Sequence, residues 1–318
     1  MSQTNILLES GTNELEIVEF YLEEAQPDLA SGSQKGFYGV NVAKVLEIIR
    51  MPKVTELPEV QHKSVRGAFN LRSHVIPLVD LAMWLNKHRV EKEPPKVIVT
   101  EFNMVTTAFM VSGVNRIHRI SWEEVEPPNL FVAGLSNNTV TGVVKMEGRI
   151  IFLLDLEKIV ADLNPQLGLH LDEAFDWQEH ENYRALVADD SNLVREMLKD
   201  LLQKANFTVE AVTNGKDAWD RLLRIKKLAG EEQRRVNDYV QVLVSDIEMP
   251  SMDGHSLCRH VKEDPDLKSL PVVLFSSLIT DKLRHKGHQV GADQQVSKPE
   301  VTHLAHRCID LIKKSLAA

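Results

Sequence analysis

The second half of the chain alternates short apolar segments with segments of helical periodicity, and this alternation constrains the fold more than any other feature. "YRALVAD", from Tyr183 to Asp189, is the first apolar segment, and Ser191 then stands where it can cap a helix. Four further pairs of apolar and helical segments follow. Strands that are apolar throughout are typical of a parallel sheet covered on both faces by helices. We therefore predict an α/β domain with a parallel sheet over residues 183–318.

Polar residues stand where four of the predicted strands end. In chain order they are Asp189 and Asp190, Asp246, Ser276 and Lys298. The carboxyl ends of parallel strands share one edge of the sheet, which is where such folds place their sites. Three clustered carboxylates repel one another, and a hard divalent cation such as Mg²⁺ offsets that repulsion. The pattern predicts phosphoryl transfer to Asp246, with Lys298 and Ser276 contacting the phosphoryl oxygens. A degenerate site that is not phosphorylated remains the alternative.

The motifs "VADD", "SDIEMPSMDG", "VVLFSS" and "GADQQVSKP" make residues 183–318 resemble a response-regulator receiver domain. The resemblance implies a (βα)5 flavodoxin-like fold. It also implies that Asp246 is the phospho-acceptor and that Ser276 and Lys298 are the switch hydroxyl and the lysine of that family. The implied Mg²⁺ ligands are the acidic pair Asp189 and Asp190, together with Asp246 and the backbone carbonyl of Glu248.

Two features of this half depart from the receiver pattern. Gln295 stands in the last predicted strand where many receivers have the Tyr or Phe of their aromatic rotamer switch. An additional polar run, Lys226–Asp238, follows the second predicted helix. We interpret this run as a solvated helix extension and loop.

The first half of the chain has short segments rich in Val, Ile, Thr and Phe, separated by Gly, Pro and Asn, which predicts an all-β domain. "KMEGRI" predicts a hairpin turn around Gly148, and a short helix is predicted over Ala43–Arg50. "YGVNVAKVLEIIR", "RGAFNLRSHVIPLVDL", "AFMVSGVNRIHRI" and "TGVVKMEGRIIFLLDLEKI" resemble the CheW family of chemotaxis coupling proteins over about Asn13–Leu163. The resemblance implies two small five-stranded barrels that bridge chemoreceptors to the histidine kinase CheA without catalysis.

A surface for these partners is implied by the same resemblance. The residues expected near the receptor- or kinase-facing surface are Val45, Glu47, Ile48 and Arg72. Arg72 also stands at the head of an apolar strand, where its guanidinium could pair with a partner carboxylate.

Composition sets the remaining limits. A length of 318 residues suggests two domains, which we place at 1–165 and 183–318 with an acidic linker at 166–182. The net charge of -9 argues against nucleic-acid binding. The two cysteines suit a reducing cytoplasm. The N-terminus does not resemble a signal peptide and no apolar stretch is long enough to span a bilayer, so we expect membrane association only through partners.

A coupling domain placed ahead of a receiver is the layout of the CheV-type chemotaxis proteins. That resemblance implies a cytoplasmic scaffold at receptor arrays, not an enzyme, in which phosphorylation of Asp246 by CheA provides adaptation or a phosphate sink. An aspartate-dependent phosphatase is the alternative from another class. A DNA-binding response regulator is disfavoured by the acidic balance and by the lack of a third domain after the last helix.

Overall fold

The computed structural model describes residues 13–26, 32–60, 62–90, 92–102, 105–128, 139–164, 181–277 and 281–317. The chain forms two compact units, the first mainly within residues 15–168 and the second mainly within residues 169–318. The boundaries proposed from the sequence stay a prediction, and residues 166–180 of the predicted linker lie outside the described residues.

The first unit is all-β, as predicted, and contains two five-stranded sheets in the orders β8-β1-β2-β10-β9 and β3-β6-β7-β5-β4. Its strands are β1 Glu14–Ala25, β2 Ser33–Asn41, β3 Val45–Arg50, β4 Val65–Leu71, β5 His74–Asp80, β6 Lys96–Phe102, β7 Val105–Val111, β8 Gly113–Ser121, β9 Val140–Met146 and β10 Arg149–Leu154. Among its described residues, the α-helices are α1 Leu81–Trp84 and α2 Leu156–Leu163.

Side chains from both sheets share one apolar core. Val18 and Phe20 from β1 belong to the same buried cluster as Ile98 and Phe109 from β6 and β7. The predicted hairpin is confirmed, because β9 and β10 pair antiparallel and close with Met146 opposite Arg149. Removing such side chains from water stabilises the fold by roughly 1.5–3 kcal/mol each, so this core holds the two sheets together.

The helix predicted over Ala43–Arg50 is wrong. A single 3-10 turn spans Val42–Lys44, and β3 follows directly. Strand β3 pairs with β6 across a bulge between Val45 and Glu47, and its residues alternate between exposed and half-buried. The β-branched residues of "VLEIIR" are stiff about χ1 and pack well on a pleated surface, which favours the strand over a helix of two turns.

The second unit is an α/β domain whose five strands are all parallel, in the order β12-β11-β13-β14-β15. Its elements are β11 Tyr183–Ala188, α3 Asn192–Lys204, β12 Phe207–Val212, α4 Gly215–Glu231, β13 Val242–Asp246, α5 Gly254–Glu263, β14 Val272–Ser276, α6 Asp281–Gln289, β15 Gln294–Ser297 and α7 Leu304–Ala317. The predicted parallel sheet is therefore confirmed.

Successive residues of the central strands point to opposite faces of this sheet. Val187 packs in a cluster with residues of α3 and α7, whereas Leu186 packs with residues of α4 and α5. The polar run at Lys226–Asp238 prolongs α4 to Glu231 and then forms a 3-10 turn. Ala229 and Val236 of this run are buried in the apolar core of the domain, so they pack the run against it. None of the described helices is long and apolar enough to cross a membrane.

Candidate functional site

Three carboxylates meet at the carboxyl edge of the parallel sheet. Ala188 of β11 pairs with Ser245 of β13, so the residues that follow them, Asp189 and Asp246, are neighbours. One oxygen from each of Asp189, Asp190 and Asp246 lies within 4.8 Å of the others. Asp189 and Asp246 are buried and Asp190 is half-buried. The sheet therefore brings together the three acids predicted from the sequence.

A buried ammonium group lies among these acids. Lys298 follows β15, and its Nζ is 3.4 Å from Asp189 Oδ2 and 3.4 Å from Asp246 Oδ1. Ser276 ends β14 beside Ser297 of β15 and is also buried. One lysine offsets part of the charge of three carboxylates, so the cluster stays acidic and favours a further cation.

The donor set fits Mg²⁺. Magnesium prefers oxygen ligands, is commonly held by one or two carboxylates and keeps several bound waters. Asp189, Asp190 and Asp246 provide such oxygens on one edge of the sheet. Glu248 is half-buried in the turn two residues beyond Asp246. The role of its carbonyl as a ligand stays a prediction.

The turn after β13 is shaped by Asp253 and Gly254. Asp253 caps α5, its Oδ1 accepting a hydrogen bond from Ser256 N at 2.8 Å, and burial raises the pKa of this carboxyl. A Cβ on Gly254 would collide with the backbone carbonyl oxygen of Asp246. The "MDG" sequence therefore lets the first turn of α5 approach the backbone of Asp246 closely.

Arg195 is a residue of the site that sequence reasoning missed. Its Nη1 donates to the backbone carbonyl of Asp189 at 2.7 Å, and its Nη2 donates to Asn192 Oδ1 at 3.2 Å. Ser191 N donates to Asp189 Oδ1 at 2.8 Å. Asp189 is thus fixed from both its backbone and its side chain. A cation in the first turn of a helix opposes the helix dipole, and this was the signal in the sequence.

A second missed residue is His255, which is buried in the first turn of α5, next to Gly254. Its Nε2 has no hydrogen-bond partner among the described residues. Burial, with a smaller contribution from Lys286, lowers the pKa of His255 to about 3. The imidazole is therefore neutral near pH 7.

Both units match known families, the first a CheW-like domain over residues 29–164 and the second a response regulator receiver domain over residues 185–308. The chemotaxis protein CheV3 of Helicobacter pylori is 34% identical over 285 residues, which cover 88% of this chain and 89% of that protein. The chain belongs to the CheV-type chemotaxis proteins. CheV1 of the same organism is 25% identical over 90% of this chain and 89% of its own length. CheW of Klebsiella aerogenes is 28% identical over 42% of this chain and 75% of its own length.

This CheV-type protein is a chemotaxis coupling adaptor that carries a receiver domain. The receiver match includes all five polar residues that the sequence predicted for the strand ends. The CheW-like match includes the residues predicted for partner binding.

The predicted partner surface contains an ion pair of its own. Arg72, which lies in the turn between β4 and β5, is largely exposed, and its Nη2 is 3.1 Å from Glu47 Oε1. Glu47 and Val45 are half-buried in β3, whereas Ile48 is exposed. The carboxylate expected from a partner is thus already supplied within the chain. A binding role for these four residues stays a prediction.

Proposed function

We propose that this CheV-type protein links chemoreceptors to the histidine kinase CheA and that phosphorylation of Asp246 regulates this coupling. The observation that carries the proposal is the buried cluster in which Lys298 contacts both Asp189 and Asp246. In this proposal the receiver takes the phosphoryl group from a phosphohistidine of CheA. The protein acts at receptor arrays in the cytoplasm, either in adaptation or as a phosphate sink.

The acceptor step is a displacement at phosphorus. An oxygen of the Asp246 carboxylate forms a P–O bond while the P–N bond to the donor imidazole breaks, and the departing imidazole takes up a proton. Lys298 lies where its ammonium can offset charge on a phosphoryl oxygen. Ser276, at the end of the adjacent strand, supplies a hydroxyl that can donate to another phosphoryl oxygen.

Asp189, Asp190 and Asp246 would hold Mg²⁺, which supplies positive charge for the phosphoryl oxygens when it is bound. Arg195 and the backbone N–H of Ser191 keep Asp189 oriented toward the acceptor through their hydrogen bonds. Gly254 lets α5 lie against the acceptor residue. Each of these groups acts by positioning charge, which is the main contribution that a protein makes to phosphoryl transfer.

Phosphotransfer tests the regulatory half of the proposal. The protein is mixed with phosphorylated CheA and Mg²⁺, and transfer of label is compared for the wild type, Asp246→Asn and the exposed control Asp266→Asn. We expect label on the wild type and on the control, and none on Asp246→Asn. Label on all three proteins would place the phosphoryl group on a residue other than Asp246. Absence of label on the wild type with both CheA and acetyl phosphate as donors would refute phosphorylation.

Co-sedimentation with receptor–kinase assemblies tests the coupling half. We expect the protein to sediment with assemblies of receptor and CheA, whether or not Asp246 is replaced. Failure to bind would refute coupling even if phosphotransfer succeeds. Multiple turnover on small phosphoesters would instead favour the aspartate-dependent phosphatase.

A further inference from the structure

The side chain of Gln295 joins strand β15 to helix α6. Its Nε2 donates a hydrogen bond to the backbone carbonyl of Arg284 at 2.9 Å. Its Oε1 is buried and has no hydrogen-bond partner among the residues that the structure describes. A Cβ on Gly287 would overlap the carbon, oxygen and nitrogen atoms of the Gln295 carboxamide. The absence of a side chain at Gly287 therefore provides the notch that holds the carboxamide.

This contact joins the two segments that lead away from the acceptor site. Strand β15 runs directly into Lys298, and its Ser297 lies beside Ser276 of β14. Helix α6 begins at Asp281, shortly after Ser276 in the chain. Because the hydrogen bond between Gln295 and Arg284 joins the two segments, any shift of α6 relative to β15 would strain or break it.

We propose that Gln295 is a positioning residue that latches α6 against β15 in the unphosphorylated protein and opens when Asp246 is phosphorylated. The proposal deepens, and rests on, the proposed phosphorylation of Asp246. The latch is poised to open because the carboxamide gains one hydrogen bond but leaves its buried acceptor unsatisfied. In this proposal, Asp246 is coupled to α6 through the carboxamide of Gln295 and the notch at Gly287. Many receivers have an aromatic side chain at the position of Gln295.

The hydrogen bond to Arg284 and the packing of the carboxamide against Gly287 hold the latch closed. The unsatisfied Oε1 opposes them, which limits the net strength of the latch to about that of one hydrogen bond. The net contribution of such a bond corresponds to a change of about two- to tenfold in an equilibrium constant. Gln295→Ala should therefore raise the opening equilibrium of α6 by about two- to tenfold. Gln294→Ala, which removes an exposed carboxamide from the neighbouring position, is the matched control.

A double-mutant cycle with Gly287→Ala tests the notch. Alanine favours a helix over glycine by about fivefold per residue in an equilibrium constant, so Gly287→Ala should protect α6 when it is combined with Gln295→Ala. When Gln295 is retained, the new methyl group must displace the carboxamide. The gain in protection of α6 from hydrogen exchange should then be smaller by about two- to tenfold. The collision involves the far end of a flexible side chain, so both variants should fold.

The measurement is amide hydrogen exchange of α6 in the full-length protein, with no phosphoryl donor present. Exchange of α4 in the control Gly230→Ala reports helix propensity alone, because a Cβ at Gly230 meets nothing within 4 Å. Equal effects of Gly287→Ala in the wild-type and Gln295→Ala backgrounds would refute the notch. Unchanged exchange of α6 in Gln295→Ala would refute the latch.

Binding of beryllofluoride with Mg²⁺, a mimic of the phosphoryl group, tests the coupling to Asp246. Because the latch opposes the opened state, Gln295→Ala should bind this mimic about two- to tenfold more tightly than the wild type, and Gln294→Ala should not. Equal affinity in wild type and Gln295→Ala would refute the coupling. Absence of binding to the wild type would refute the proposed function itself, and the exchange measurement would still decide whether the latch exists.

Discussion

Replacing Lys298 by Met tests whether the buried cluster depends on charge compensation. The variant keeps an unbranched side chain, one heavy atom shorter, and removes its charge. Coulomb's law at an effective dielectric constant of about 20 gives about 5 kcal/mol of attraction for each contact of this length, and much of that attraction offsets the cost of burying the charges. The contacts are those of Lys298 Nζ with Asp189 and Asp246 at 3.4 Å. We expect a loss of about 3–5 kcal/mol in the unfolding free energy without Mg²⁺, as for other broken buried pairs.

Lys226 provides a matched control. Its Nζ also contacts two carboxylates, those of Asp264 at 2.8 Å and Asp266 at 3.0 Å, but this cluster is much more exposed. Solvent screens such pairs and reduces their contribution to stability, so Lys226→Met should lose far less stability than Lys298→Met.

The assay is urea unfolding read from amide protection in β11 and β13, which reports on the receiver domain alone. Mg²⁺ should stabilise Lys298→Met more than the wild type, because the lysine no longer competes for the three carboxylates. Equal losses in Lys298→Met and Lys226→Met would refute the reasoning. Stronger stabilisation of the wild type by Mg²⁺ would refute it as well.

Three further predictions concern the same domain. Gly254→Ala drives a methyl group into the backbone carbonyl of Asp246, so the proposed labelling by acetyl phosphate should fall on the order of a hundredfold while circular dichroism shows a retained fold. The folded pKa of His255, about 3, lies below the unfolded value of about 6.5. The contribution of His255 to the unfolding free energy is therefore complete above about pH 6.5 and is lost as the pH falls toward about 3, at up to about 1.4 kcal/mol per pH unit. In His255→Gln, the unfolding free energy measured with urea should depend less on pH across that range. Burial raises the pKa of Cys258 and Cys308 to about 12, so both should react with Ellman's reagent at about pH 8 only after unfolding, and fast reaction of the native protein would contradict this.

The receiver domain could be predicted from sequence because its central strands β13 and β14 are fully buried and largely apolar, and because polar site residues stand at the strand ends. The parallel sheet then brings Asp189, Asp246 and Lys298 together whatever the details of the loops. Arg195 could not be assigned in the same way. Its contact is with a backbone carbonyl, so the sequence signals it only as a cation in the unfavourable first turn of α3.

The coupling domain was harder to predict at the level of single elements. The segment Ala43–Arg50 has helical spacing of apolar residues, but pairing with β6 makes most of it an edge strand. Tertiary pairing overrides local pattern in a segment this short. The pair between Arg72 and Glu47 was missed for the same reason, because it joins β3 to the turn between β4 and β5.

The order of strands in the two units has a consequence for how the chain folds. In the CheW-like domain, β2 pairs in parallel with β10, with Phe37 opposite Ile151. That sheet is therefore complete only when segments far apart in the chain have paired. In the receiver, β11 pairs with β12, β13 with β14 and β14 with β15, so most pairings join successive strands. Sheets built from distant segments fold slowly because loop closure precedes their contacts. During synthesis, the sheet that contains β2 can therefore close only after β10 has been made. We expect the slower phase of refolding to belong to this domain.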